Sequence, residues 1–480
     1  MNRSTLLRTL PAALMLASLA GCAAGPDYSG PPRAAALANA RGSFLRAPDA
    51  TTAEAPAARW WTALNDPMLD RLVEGALANS PGMAAANARI AQARAGLAAN
   101  RTALLPTIET SFTAPYLNLP ADLLNPRASG RTDTHAYNLG FDASWELSLF
   151  GGTQRKIESA RDKAQSAEAG LADAQVSLSA EVARAYVALR ARQAAEDLLG
   201  QQLEIDRKLA GLAAQRFAQG TVPRQMVDEA EARRAQSEGD LAGAKADVQV
   251  LKDQLAVLTG QEPGALDTAL AQSEPVPLPP ADVAVGDPAR LIANRPDIRI
   301  AERQLAAANA EIGAQMAEGL PKISFMGLLG LGGSKLGDVL DPGTLLGIAL
   351  PRLTWSLFDG GRNKAQVEAK KGAFAEAEAN YRQAVLGALQ DAENSLTRFG
   401  SGRIGFAKAL EARQQASHAA GLQHQRAAAG TIGLGDALGA DREALQARLG
   451  AVQARAGLTT GYIAVAKALG LGWTPKEPAS

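Results

Sequence analysis

The sequence predicts a mainly helical chain with a small share of membrane β-structure. Long helices pack sideways as coiled coils, and four short strands go to a barrel that one chain cannot close. Three observations carry this. The chain is written twice, with a period of about 210 residues. Each half holds a proline-free run of about 65 residues rich in good helix formers. Each half also holds two stretches that do not read as helix, and one of them is the cleanest period-two pattern in the chain.

The repeat shows as ordered matches. Ser144–Gly152 (SWELSLFGG) is answered by Thr354–Gly361 (TWSLFDGG), and Leu105–Ile108 (LPTI) by Leu320–Ile323 (LPKI). Gln215–Val222 (QRFAQGTV) is answered by Gln425–Ile432 (QRAAAGTI). Head-to-tail duplication points to quasi-symmetric architecture and away from a catalytic cleft.

Residues 1–21 read as a signal peptide. Arg3 and Arg8 precede an apolar run, Leu10–Leu19, about half as long as a membrane-spanning helix needs. Leu19-Ala20-Gly21-Cys22 then resembles a bacterial lipobox, which implies cleavage before Cys22 and a covalent lipid on its thiol. Cys22 is the only cysteine, which excludes disulfides within a chain. Ala23, rather than Asp, resembles sorting to the outer membrane.

Lys plus Arg equals Asp plus Glu at 49 each, so net charge gives no reason to expect nucleic acid. Past residue 21 no apolar run reaches helix-spanning length, so any membrane crossing falls to short strands.

The first long helix is expected over Gln154–Ala218. Leu171, Ala174, Leu178, Val182, Ala185 and Leu189 form its seam, and it is roughly 100 Å long at 1.5 Å per residue. Gly220 and Thr221 end it, and a second helix runs to about Leu258. The other half repeats the plan, with Arg362–Ala429, a turn at Gly430 and Thr431, and a helix to Leu469. Shorter helices are expected at Pro67–Arg101 and Pro296–Gly319. An ordinary helical bundle has the same periodicity.

Strands are expected at about 106–117, 136–150, 321–331 and 346–358. In Tyr137–Leu149 the odd positions are apolar and the even ones polar, the pattern of a barrel with lipid outside and water inside. Ile323, Phe325, Leu329 and Leu331 alternate less cleanly, and Leu353, Trp355 and Leu357 close the fourth candidate. A soluble sandwich with one polar face is the other reading. Two chains would give eight strands and three would give twelve, and barrels begin at about eight. A lipid-anchored barrel continued by long helices is a conduit.

Several motifs carry a family resemblance over almost the whole mature chain. They are Cys22 with Gly25-Pro26-Asp27-Tyr28, Trp60-Trp61 with Asp66-Pro67, Trp145 with Phe150-Gly151-Gly152, Trp355 with Asp359-Gly360-Gly361-Arg362, and Tyr462 with Gly472-Trp473. The chain resembles TolC-like outer membrane efflux proteins of the lipoprotein (NodT-type) branch. Ser148 departs from the Asp usual at the first strand–helix junction.

The resemblance implies a homotrimer with a twelve-stranded β-barrel over a long-helix α-barrel, and no enzyme activity. It also implies a periplasmic adaptor, an inner-membrane RND-type pump and export of small toxic compounds. The chain then divides into residues 22–62 (lipidated segment), 63–260 (first repeat), 261–288 (proline-rich linker), 289–473 (second repeat) and 474–480 (tail). Asp436 matches a carboxylate that narrows the periplasmic aperture in the family. It also fits the bland role of an acid in a helix first turn. Asp228 and Glu229 are the weaker candidates in the first turn. A metal site is not expected from His135, His418 and His424, none of which sits in a zincin motif. A protein-secretion exit duct and a coiled-coil lipoprotein spacer without a pore are the alternative functions.

Overall fold

The computed structural model describes residues 23–49, 51–120 and 129–474. Cys22 and residues 475–480 of the tail lie outside them. The helices are α1 (Ala36–Arg41), α2 (Pro67–Asn79), α3 (Pro81–Thr102), α4 (Gly152–Ala218), α5 (Arg224–Leu258), α6 (Pro288–Asn294), α7 (Pro296–Glu318), α8 (Arg362–Ala428) and α9 (Leu434–Ala468). The repeat survives in detail: α4 and α8 are both 67 residues long, and α5 and α9 are both 35. No helix among the described residues is long and apolar enough to cross a membrane.

The chain divides into two compact units, and each draws on both repeats. The first comprises residues 1–32, 90–167 and 301–381 and holds the main sheet. Its strands are β2 (Thr107–Thr113), β5 (Tyr137–Leu147), β7 (Lys322–Gly333) and β8 (Leu345–Thr354), antiparallel in the order β2-β5-β7-β8. Between β2 and β5 in sequence, β3 (Tyr116–Pro120) pairs with β4 (Arg131–His135). Thr113 faces Asn138 and Tyr116 faces His135, so β2–β3 and β4–β5 keep one register and form a single long hairpin. Pro115 has no N–H to give the ladder, and its carbonyl accepts from Ala136 N–H at 3.1 Å.

Two strand expectations change. The hairpin reaches Pro120 and Arg131, past the expected strand ends at about 117 and 136, and Asn118 bonds across it to Asp133 and Arg131. β8 stops at Thr354, so Trp355 and Leu357 lie beyond it. There the chain turns toward the glycine pair, Gly360 and Gly361, both in the left-handed region.

The second unit comprises residues 33–89, 168–300 and 382–480. Its core gathers Trp60, Trp61, Phe399 and Tyr462, all nearly fully buried. The Trp60 ring meets the Trp61 and Tyr462 rings edge-on at 5.9 Å, and the Tyr462 hydroxyl donates to the Trp60 carbonyl at 3.0 Å. The short strands β1 (Thr51–Thr52) and β6 (Val283–Ala284) pair in parallel. Arg295 donates to the Ala468 carbonyl at 2.7 Å and caps the C-terminal end of α9.

Candidate functional site

The sheet has two unlike faces. Odd-numbered positions of β5 and β7 share one face with even-numbered positions of β2 and odd-numbered ones of β8. Ile108, Ala143, Gly327 and Ala349 form one row across it, and Trp145, Phe325 and Pro351 another. No charged residue lies on this face within the four strands. Phe112, Phe141, Leu329, Leu345 and Leu353 are all exposed there in the single chain. Aromatic rings bound it at both ends. Tyr116, His135 and Tyr137 cluster at one end, and Trp145 meets Phe325 at 6.2 Å at the other. Trp145 lies eight positions after Tyr137, about 27 Å along a strand and about 21 Å in height at a tilt of about 40°, comparable to an outer-membrane apolar band of about 25 Å. The outer edges of β2 and β8 have no strand partner among the described residues. An open edge in lipid leaves its backbone groups unpaired at several kcal/mol each, so this sheet needs more copies to close.

Each strand–helix junction is pinned by its tryptophan. Trp145 Nε1 donates to the Leu104 carbonyl at 3.1 Å, and Trp355 Nε1 to the Gly319 carbonyl at 3.2 Å. Each acceptor lies just past the end of the short helix that precedes the strands. Gly151, at φ 74°, leaves room for Ala23: a Cβ there would come within 2.8 Å of the Ala23 Cα. Gly152 begins α4. Ser148 caps that helix, its hydroxyl accepting from Thr153 N–H at 3.0 Å. Asp359 does the same for α8 by accepting from Asn363 N–H at 2.8 Å. The family's Asp is thus replaced by a residue that can still cap.

Cys22 itself is outside the described residues, but the segment after it is docked. Ala24 N–H donates to the Phe150 carbonyl at 2.8 Å. Arg155, 5% exposed, reaches the Ala24 carbonyl and Asp27. Asn309 donates to the Pro26 carbonyl, and the Tyr28 hydroxyl donates to Glu302. Burial, then the Glu302 carboxylate, push the Tyr28 phenol well above its ordinary pKa. Gly25–Tyr28 stands out in the sequence but its receptor does not, because Arg155, Glu302 and Asn309 come from distant segments with no local motif.

A cavity of about 920 Å³ in the same unit is crossed by charge pairs. Glu311 is held by Lys163 at 2.6 Å and Lys370 at 2.7 Å, and Glu318 by Lys156 at 2.7 Å and by Lys322. Burial alone would raise the Glu311 pKa, but the two ammonium groups outweigh it and hold the carboxyl below the usual range.

In the other unit the two hairpin turns are near-copies. Gly220 (φ 68°) and Gly430 (φ 72°) occupy the position after the helix end that favours glycine. Thr221 N–H reaches the Arg216 carbonyl at 2.9 Å, and Thr431 N–H the Arg426 carbonyl at 3.0 Å. Both threonine hydroxyls add a bond to the same carbonyl at 2.9 Å. The candidates beyond the turns differ. Asp436 bends back to accept from Gly433 N–H at 3.1 Å and closes the N-terminus of α9. A Cβ on Gly433 would lie 3.2 Å from Arg216 Nη2 and 3.5 Å from Asp436 Oδ2, so a guanidinium from the first hairpin sits beside this cap. Asp228 is paired with Arg224 at 2.9 Å, and Glu229 accepts from Gln225 at 2.8 Å, both along one helix face. In the repeat frame Asp436 stands opposite Met226, so the three acids are not equivalents.

Above the turns lies a contact the sequence did not reveal. Asp206, 1% exposed, accepts from Ser237 at 2.6 Å and lies 3.5 Å from Arg442. It thereby ties α4 to α5 and to α9 of the other hairpin. Among the described residues no group of three or more His, Cys, Asp or Glu side chains is placed to hold a metal ion.

The chain matches the outer membrane efflux protein family over residues 72–261 and 288–471. It belongs to that family. It is similar to Nodulation protein T of Rhizobium leguminosarum bv. trifolii, 29% identical over 382 residues, 79% of each chain. It is also similar to the pyoverdine export outer membrane protein OpmQ of Pseudomonas aeruginosa, 29% identical over 430 residues, 86% of this chain and 87% of that one. Among solved structures, the outer-membrane channel OprN matches with TM-score 0.85 at 30% identity, over 95% of this chain and 100% of that chain. Members of this family are outer-membrane efflux channels that extend into the periplasm, so the chain is a channel subunit and not an enzyme.

Proposed function

We propose that three copies of the chain close their sheets into one twelve-stranded outer-membrane barrel, and that the long helices continue it as a periplasmic conduit. The conduit takes small toxic compounds from a periplasmic adaptor and an RND-type inner-membrane pump and releases them outside. A lipid on Cys22 anchors each chain, and the docking of Ala24–Tyr28 holds that anchor beside the Phe150 junction. One observation carries the reading: an uncharged sheet face, bounded by aromatic rings, on a sheet whose two outer edges have no strand partner among the described residues. Asp436, beside the second turn, is the aperture candidate, and Asp228 and Glu229 follow it.

The purified protein should migrate as a cross-linked trimer and conduct ions in planar bilayers. A deletion strain should share its drug sensitivities with a strain that lacks the cognate pump. A monomer without conductance would sink the proposal. Labelled fatty acid should enter the mature protein and be lost in Cys22→Ala.

A further inference from the structure

The face opposite the aromatic one changes character halfway across the sheet. Its rows read Ser111–Gly140–Gly330–Leu346, Glu109–Asp142–Leu328–Ile348 and Thr107–Ser144–Met326–Leu350. On β2 and β5 the side chains in these rows are hydroxyls and carboxylates. On β7 and β8 they are all apolar, and Met326, Leu346, Ile348 and Leu350 are 41–56% exposed. Toward the helices the rows Glu146–Ser324–Arg352 and Lys322–Thr354 are polar throughout, and at the far end Thr113 and Asn138 face Gly332.

From Leu345 to Pro351, β8 is therefore apolar on both faces, although only one face can meet lipid. The inner apolar stripe has no lipid to satisfy it, and leaving it in water is unfavourable. Twelve strands spaced about 4.8 Å and tilted by about 40° give a backbone diameter of about 24 Å. A bore of that width holds many waters abreast, so the stripe is not a dewetting gate. What remains on this path is the cargo.

We propose that Met326, Leu328, Leu346, Ile348 and Leu350 form a contact stripe for the apolar parts of exported molecules. Three such stripes would alternate around the bore with the polar stripes of β2 and β5. Amphiphilic compounds, with an apolar body and a charged or polar end, are the class that suits this pairing. The inference rests on the barrel reading above.

The test uses the full-length lipidated trimer in planar bilayers. Tetraphenylphosphonium is the apolar probe and tetramethylammonium the polar one of equal charge. Tetraphenylphosphonium should block the wild-type current measurably. The double variant I348S/L350S should weaken that block about tenfold, the loss expected from about 60 Å² of apolar contact, with open conductance and the tetramethylammonium response within about twofold of wild type. Ile348→Thr, a strand-compatible change, should weaken it about threefold, and Ser144→Leu in the polar stripe should strengthen it. Equal block in wild type and variants, or no block in wild type, overturns the proposal. Failure of both Ile348 variants to assemble also overturns it, because the stripe would then be packed against protein. A wild-type protein without any conductance instead removes the channel reading itself.

Discussion

The two repeats agree where the backbone must turn and differ where side chains face a partner. At the turns, Gly220 with Thr221 and Gly430 with Thr431 make the same bonds to within 0.1 Å. At the junctions, Trp145 and Trp355 pin equivalent carbonyls. Beyond these points the copies diverge. Asp436 stands opposite Met226, Tyr462 opposite Lys252, and the polar inner rows of β2 and β5 opposite the apolar ones of β7 and β8. Duplication copied a hairpin-and-strand plan. Packing and function were then assigned to one copy or the other.

The largest expected break in the symmetry is in the core. Tyr462→Ala removes a buried ring from the Trp60–Phe399 cluster and strips the Trp60 carbonyl of its donor, at a cost of about 3–5 kcal/mol. Lys252→Ala at the matching position should cost less than about 0.5 kcal/mol. Thermal unfolding of the two variants measures the contrast, and equal midpoints would refute it.

Asp206→Ala comes next. It strands the Arg442 guanidinium and frees Ser237, at about 3 kcal/mol. Because Asp206 links the two hairpins, single-channel conductance should rise with it. Loss of stability at unchanged conductance would make the cluster a packing feature only.

Asp436→Ala should cost about 1 kcal/mol through the lost cap. Aperture lining adds a second expectation, higher conductance or weaker cation preference. Asp228→Ala and Glu229→Ala remove only pairs along one helix face and should cost about 0.5 kcal/mol or less. Stability loss in Asp436→Ala with an unaltered current record would leave the cap as its whole role.

The smallest effect is a pH dependence. The Glu311 pKa is lowered in the folded chain, against the burial that raises it, by Lys163 and Lys370. Its contribution is therefore present above the unfolded carboxyl value and is lost as pH falls through the lower folded value. Melting of wild type and Glu311→Gln should differ at neutral pH and converge in strong acid. A difference that grows on acidification would reverse the sign.

Much of this architecture is legible in local pattern. Glycine with threonine after a proline-free helical run marks the turns, because only a residue without Cβ takes that left-handed φ freely. Tyr137–Leu147 reads as strand because its two faces meet different solvents. β8 reads poorly for the same reason inverted: with Leu346, Ile348 and Leu350 inside and Leu345 and Leu353 outside, it has no alternation to detect. The Arg155 clamp on Ala24 and Asp27, and the Asp206–Arg442 contact, leave no trace in spacing.

The sequence by itself determined the repeat, the helix lengths, the turns and the need for more than one chain. These come from periodicity, glycine stereochemistry and the cost of unpaired backbone in lipid, all of which act over short stretches or through simple counting. Only the tertiary structure decided which acid caps a helix and which charge is buried against which. It also decided that half of the sheet's inner face is apolar, because each of these depends on strand register and helix pairing between residues far apart in the chain.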